Sequence, residues 1–230
     1  MEGNWAMGWA GSPLCKSKDH SAGEVTPRFV RMVPPRTATR QAAPCLRLDL
    51  RAATQDVHDR LHRHVGFAAV QDATIGIADY QDLIVRLYGF YVPFEAALAI
   101  PPDRSNWLAG DLRALGLKRP LHAIPKCGHV PRLDSVSLKL GALYVAEGSA
   151  LGGRELARSL DRLLGKDVTQ GRRFFIGRGA GTGAAWRSHL AQLSAAPPEP
   201  STRAEIIRGA VETFAAFEHW LDGWITSSDG

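Results

Sequence analysis

Long apolar runs are missing from this sequence of 230 residues. No stretch supplies the roughly 18 consecutive apolar residues that a membrane-spanning helix requires, so we expect no membrane span. The first 20 residues also lack a basic segment followed by an apolar one. They therefore do not resemble a secretory signal peptide.

Cysteine is scarce, with Cys15, Cys45 and Cys127 far apart and no CxxC pair among them. An odd number of widely spaced cysteines disfavours both a disulfide framework and a zinc ribbon. Such usage is typical of proteins in a reducing compartment, and we expect a cytoplasmic location.

Charge of one sign does not dominate any segment, although the net charge is +5. The basic residues are mixed with acidic ones along the chain, so we expect no nucleic-acid partner. A basic balance also suits an anionic ligand or an acidic partner protein. Residues 1–44 are rich in Gly, Pro, Arg, Ser and Thr and lack periodicity. We expect them to be a disordered or non-native extension, with Met32 as a candidate start, before a single domain over 45–226.

Strand-like alternation is rare, whereas from Leu46 onward apolar residues recur at helical spacing. The pattern predicts an all-α bundle of six or seven helices. We expect helices over 46–65, 77–99, 106–117 and 133–165, and two more beginning near Ala184 and after a capping Thr202. Pro93 should kink or divide the second helix. Asp134 or Ser135 should cap the fourth, and Gly165 should end it.

Glycines are unusually frequent inside the fourth helix, where each costs about 1 kcal/mol relative to alanine. At 100° per residue, Gly141, Gly148 and Gly152 fall within about 40° of one another, and Gly153 lies at the edge of the stripe. Such a stripe has two uses. It allows another helix to pack closely, or it lets the helix backbone lie against a flat ligand.

A histidine lies on the apolar face of the first helix, at position 58. A core histidine and a metal ligand both remain open, and His62 one turn later could join it in binding a metal. No third ligand accompanies the pair. Arg51 lies two turns before His58, and Arg173, Arg178 and Arg187 flank the glycine-rich segment 177–183. That segment lacks the ending of a phosphate loop, so we interpret it as a flexible connector.

Four segments, in this order, resemble the heme oxygenase family, in the bacterial branch that accompanies phytochromes. They are "LRAATQDVHDRLH", "LYVAEGSALGGREL", "FFIGRGAGTGAAWRSHL" and "AVETFAAFEHWL". The resemblance covers about residues 46–225. It implies a single all-α domain that holds heme between a proximal helix and a kinked distal helix.

The resemblance also implies roles for individual residues. His58 would ligate the heme iron, as the one metal ligand from the protein. The catalytic distal segment would comprise Gly148, Ser149, Gly152 and Gly153, which leave room for O₂. Further contacts to heme would come from Arg51, Tyr144 and Arg187.

The implied activity is the reductive, O₂-dependent cleavage of heme (iron protoporphyrin IX) to biliverdin, CO and ferrous iron. Heme is then both substrate and cofactor. The resemblance implies a ferredoxin-like or flavoprotein electron donor, and a bacteriophytochrome that receives the biliverdin. Two alternatives are a non-catalytic heme carrier or sensor on the same fold, and a helical bundle with an unrelated small-molecule site.

Two positions depart from the family pattern. Ser149 stands where many heme oxygenases have an aspartate that organises water for proton delivery. Arg178 stands where the bacterial branch suggests an aromatic residue. Another carboxylate, such as Glu147 or one from the second helix, could take over proton delivery.

Overall fold

The computed structural model describes residues 45–222, and every described regular element is helical. The expectations for residues 1–44 and 223–226 fall outside this range. The all-α prediction is confirmed. The nine α-helices within residues 45–222 are α1 Leu46–His62, α2 Val65–Gln71, α3 Ile77–Leu98, α4 Asp103–Ala114, α5 Val136–Ser159, α6 Asp161–Leu164, α7 Arg173–Ile176, α8 Thr182–Ala195 and α9 Pro200–Leu221.

The first predicted helix is shorter than expected, because α1 ends at His62 and a separate helix α2 follows. His64 caps α2, and its Nδ1 accepts a hydrogen bond from the backbone N–H of Gly66 at 3.2 Å. Because the His64 side chain caps α2, a new helix begins there and α1 cannot continue. The apolar periodicity of the sequence does not reveal this boundary.

Pro93 does not divide the second long helix, and α3 is helical from Ile77 to Leu98. A proline lacks the N–H that would bond to the carbonyl four residues earlier, here that of Gly89. The backbone N–H of Cys127 donates to the Gly89 oxygen instead, at 3.0 Å. A Cβ on Gly89 would lie 2.6 Å from the Pro125 oxygen, so only glycine admits the loop that satisfies this carbonyl.

Most other helix boundaries differ from the expectation by a few residues. Ser135 does cap α5, since its Oγ accepts from the N–H of Leu138 at 3.1 Å. That helix breaks at Leu160, and the short α6 continues to Gly165. The expected cap at Thr202 was wrong, because α9 begins at Pro200, a residue suited to the first helical turn.

The helices α5 and α9 cross with their backbones in close contact, and glycines make this possible. A Cβ on Gly141 would lie 1.9 Å from the Ile206 oxygen, and one on Gly209 would lie 2.2 Å from the Leu138 oxygen. Part of the glycine stripe therefore serves helix packing. One large cluster of buried side chains lies around α3, α4 and α5, and a second around α1, α8 and α9.

We predict that Gly141→Ala destabilises the protein by about 1–3 kcal/mol or more, the range found for overpacked cores. The added methyl group would meet backbone atoms of α9, which cannot rotate away. Urea unfolding measures the change. Gly110→Ala is the matched control, because a Cβ there meets nothing within 4 Å. The control should gain up to about 1 kcal/mol from helix propensity. Equal stability of the two variants would contradict the close crossing.

Candidate functional site

A largely apolar cavity lies between α1, α3, α5, α7 and α9. Aromatic side chains dominate its wall, which is typical of sites for flat organic ligands. Its polar groups include a pair of histidines, two arginines, a tyrosine, the glycine segment of α5, Gln71, Glu155 and Thr213. The aromatic residues are Phe67, Phe90, Tyr91, Phe94, Trp107, Phe174, Phe175, Phe214 and Phe217.

His58 and His62 both reach this wall from α1. Their Nε2 atoms lie 3.1 Å apart. On its other side, the Nδ1 of His58 lies 3.3 Å from Asp59 Oδ1, and Gln55 Nε2 donates to that same oxygen at 2.7 Å. Burial, and then the neighbouring His58, lower the pKa of His62 to about 4, so His62 is neutral at pH 7. Neutral imidazole is the form that binds metals.

The glycine segment of α5 forms another part of the wall through Gly148, Ser149, Gly152 and Gly153. The helix continues without interruption through these residues. Gly153 also faces α7, since a Cβ there would lie 2.9 Å from the Phe175 oxygen. The stripe therefore has both predicted uses. Gly141 and Gly153 permit close packing, whereas Gly148 and Gly152 present helix backbone to the cavity.

A buried ion cluster lies beside the glycine segment. Glu147 accepts from Arg104 Nη2 at 2.8 Å and from Arg178 Nη1 at 2.8 Å. Burial alone would raise the pKa of Glu147, but the two guanidinium groups outweigh it and hold the pKa below its usual value. Glu147 is therefore ionised at neutral pH. The structure makes it an anchor for two cavity-lining arginines, rather than the proton donor that the sequence left open.

Two further carboxylates fix the ends of helices around the cavity. Glu95 accepts from the backbone N–H groups of Arg104 and Ser105, at 2.9 and 3.0 Å. Asp111 accepts from those of Arg173 and Phe174, at 2.7 and 2.8 Å. Acidic groups at helix N-termini satisfy free N–H groups and favour the helix dipole. Glu95 thus helps to position Arg104.

Three of the predicted site residues lie away from the described cavity wall. Tyr144 is fully buried and packs against Trp186, with ring centroids 5.5 Å apart. Arg51 donates to Gln55 on the outer part of α1, at 3.4 Å. Arg187 lies close to Gly183 on α8. The structure does not bring these three side chains to the cavity, and their contacts with heme stay predictions.

Similarity to known proteins indicates which ligand the cavity holds. The family model described as heme oxygenase matches residues 45–223. The chain belongs to the heme oxygenase family. The fold is similar to that of a crystal structure of heme oxygenase-1 from the cyanobacterium Synechocystis sp. PCC6803 in complex with heme. That match has 17% identity and a TM-score of 0.61, and it covers 78% of this chain and 93% of the other. No curated protein matches the sequence.

This protein is accordingly a heme oxygenase, an enzyme for which heme is both substrate and cofactor. The residues present fit that group. Imidazole side chains line an apolar, aromatic-walled cavity, and a histidine is a ligand that a heme iron can take. None of the described helices is long and apolar enough to cross a membrane.

Several wall residues escaped the sequence analysis. Arg104 and Tyr91 lie outside the four motifs, and only the fold brings them beside Glu147. Burial raises the pKa of Tyr91 to about 12, so its hydroxyl remains protonated and can donate a hydrogen bond. The spacing of four residues between His58 and His62 does indicate that both could bind one metal, but the sequence offers no third ligand to support that interpretation.

We predict that Glu147→Gln lowers the free energy of unfolding at pH 7 by about 3–5 kcal/mol, because it leaves a buried arginine without its counter-ion. The pKa of Glu147 is lowered in the folded state, so its contribution is present above its usual pKa of 4.5 and is lost at lower pH. Urea unfolding between pH 7 and pH 3 should show the difference from the native protein shrinking as pH falls.

The control for this prediction is Glu212→Gln, which alters an exposed carboxylate on α9. It should change stability by less than about 0.5 kcal/mol, as is usual at exposed positions. A Glu147→Gln variant as stable as this control would show that the ion cluster contributes nothing to the fold.

Proposed function

We propose that heme lies in this cavity with its iron on His58 and one edge of its ring against the glycine segment of α5. The observation that supports this most directly is that one cavity is lined by both His58 and Gly148–Gly153. An imidazole and an exposed stretch of helix backbone then face the same flat ligand. The family match supports the identity of that ligand.

On the proximal side, Asp59 and Gln55 hold His58. The Asp59 carboxylate accepts from Nδ1, which leaves the lone pair on Nε2, the nitrogen that faces His62 and would bind the iron. A carboxylate behind a ligating histidine fixes the ring and makes it a stronger donor. Phe214 stands edge-on to the imidazole, with centroids 6.4 Å apart, and limits its rotation.

On the distal side, Gly148 and Gly152 offer no side chain, so O₂ has room beside the ring edge. The aromatic residues of α3, α7 and α9 exclude bulk water from the rest of the cavity. Bound heme supplies the redox chemistry, the reductive and O₂-dependent opening of its own ring. Arg178 is about one-third exposed at 34%, and its guanidinium is a candidate partner for a heme propionate.

The reaction products in this proposal are biliverdin, CO and ferrous iron. Heme oxygenases take electrons from a reductase or a ferredoxin. We propose a ferredoxin-like donor here, because a net charge of +5 favours an acidic partner. We further propose that the enzyme acts in the cytoplasm and that a bacteriophytochrome receives the biliverdin. The location rests on the few, widely spaced cysteines, and the bacteriophytochrome on the sequence resemblance.

We predict that the purified protein takes up one equivalent of hemin with a sharp Soret band. Ascorbate or a ferredoxin system should then bleach that band while a broad red absorption of biliverdin grows. Absorption spectroscopy follows both. A Soret band that persists under competent reductants would favour the carrier or sensor alternative. No uptake of heme at all would overturn the proposed site.

We predict that Gly152→Leu weakens heme binding by about tenfold or more, because a side chain at the cavity wall overpacks the site at a cost of about 1–3 kcal/mol. Titration of hemin into the heme-free protein measures this. Gly110→Leu on α4 is the control, since it also replaces a helical glycine and its side chain starts in open space. Equal affinities of the two variants for hemin would show that the heme ring does not lie against Gly152.

A further inference from the structure

We propose that His62 is a second possible ligand for the heme iron, so that the iron could be held by either His58 or His62 from the same wall of the cavity. The proposal rests on the proposed function, in which heme occupies this cavity. Its basis is that both imidazoles line the cavity and that their Nε2 atoms lie only 3.1 Å apart.

The hydrogen bonds of the pair show which nitrogen is available. Two Nε2 atoms at 3.1 Å share one proton, so one ring donates and the other accepts. The Asp59 carboxylate beside Nδ1 of His58 favours a proton on that Nδ1. His58 then accepts at Nε2, and His62 donates from its own Nε2. Without heme, His62 therefore covers the lone pair that binds iron, and heme must displace it.

The position of His62 lets it replace His58 as well as cover it. A histidine nitrogen binds a metal at about 2 Å. Because the two Nε2 atoms are only 3.1 Å apart, a small displacement of heme would exchange one ligand for the other. The ring centroids are 4.3 Å apart, with an angle of 64° between the planes. Both imidazoles therefore lie within one small region of the cavity wall, with their Nε2 atoms facing each other.

The two ligands differ in how firmly the helix holds them. His58 lies inside α1, with Asp59 and Gln55 behind its ring. His62 is the last residue of α1, where helices fray. His58 is therefore the principal ligand. Heme held by His62 would lie differently against Gly148 and Gly152, and we expect its ring opening to be slower.

The test is resonance Raman spectroscopy of the ferrous heme complexes, which detects the iron–histidine stretching band. We expect the band in the native protein, in His58→Ala and in His62→Ala, and its loss only in the double variant. We also expect His58→Ala to lose at least about 90% of the rate of biliverdin formation. His129→Ala is the control, because His129 is an exposed histidine outside the cavity.

Addition of imidazole to the double variant should restore the band, which shows that its cavity is formed. If circular dichroism shows that His58→Ala is unfolded, His58→Gln, which has a larger side chain, replaces it in the test. A folded His58 variant that binds heme without the band, or that binds none, overturns the second ligand. A native protein without the band would instead overturn the proposed function, so the two failures are distinguishable.

Discussion

The crossing of α5 and α9 is the contact on which the rest of the site depends. Backbone meets backbone at Gly141 and Gly209, with no room for a Cβ on either helix. Beyond this contact, α5 carries the glycine segment 148–153 and α9 carries Phe214 and Phe217. Both sets of residues line the cavity. The width of the cavity is therefore set by how closely these two helices approach one another at the crossing.

The glycines of α5 carry a cost that the packing must offset. Each lowers helix stability by about 1 kcal/mol relative to alanine. Gly141 and Gly153 allow close contacts with α9 and α7, and dispersion and burial there compensate for the lost propensity. Gly148 and Gly152 face the cavity instead. Their cost is recovered when a ligand fills that space, which is why a helix in a stable protein retains them.

The sequence predicted what depends on periodicity and on short motifs. The all-α class, the glycine stripe and a cap at Asp134 or Ser135 follow from spacing, whereas the place of His58 in a heme cavity follows from the family resemblance. Contacts between distant segments could not be predicted. Glu95 accepts from the N-terminus of a helix that begins further along the chain, and Glu147 pairs with Arg104. The N–H of Cys127 bonds to the carbonyl that Pro93 leaves without a helical donor. Each depends on the tertiary fold, as does the position of Tyr144 away from the cavity.

The surroundings of Ser149, which stands where many heme oxygenases have an aspartate, bear on how protons reach the site. Glu147, its nearest carboxylate along the chain, is fixed between two arginines and stays ionised, so it is a poor source of protons. Ser149, by contrast, is exposed at the cavity wall. A hydroxyl in contact with solvent can hold a water molecule by a hydrogen bond. That water molecule can exchange protons with bulk water. Proton delivery in this enzyme is therefore better sought along the open side of α5 than in its buried ion cluster.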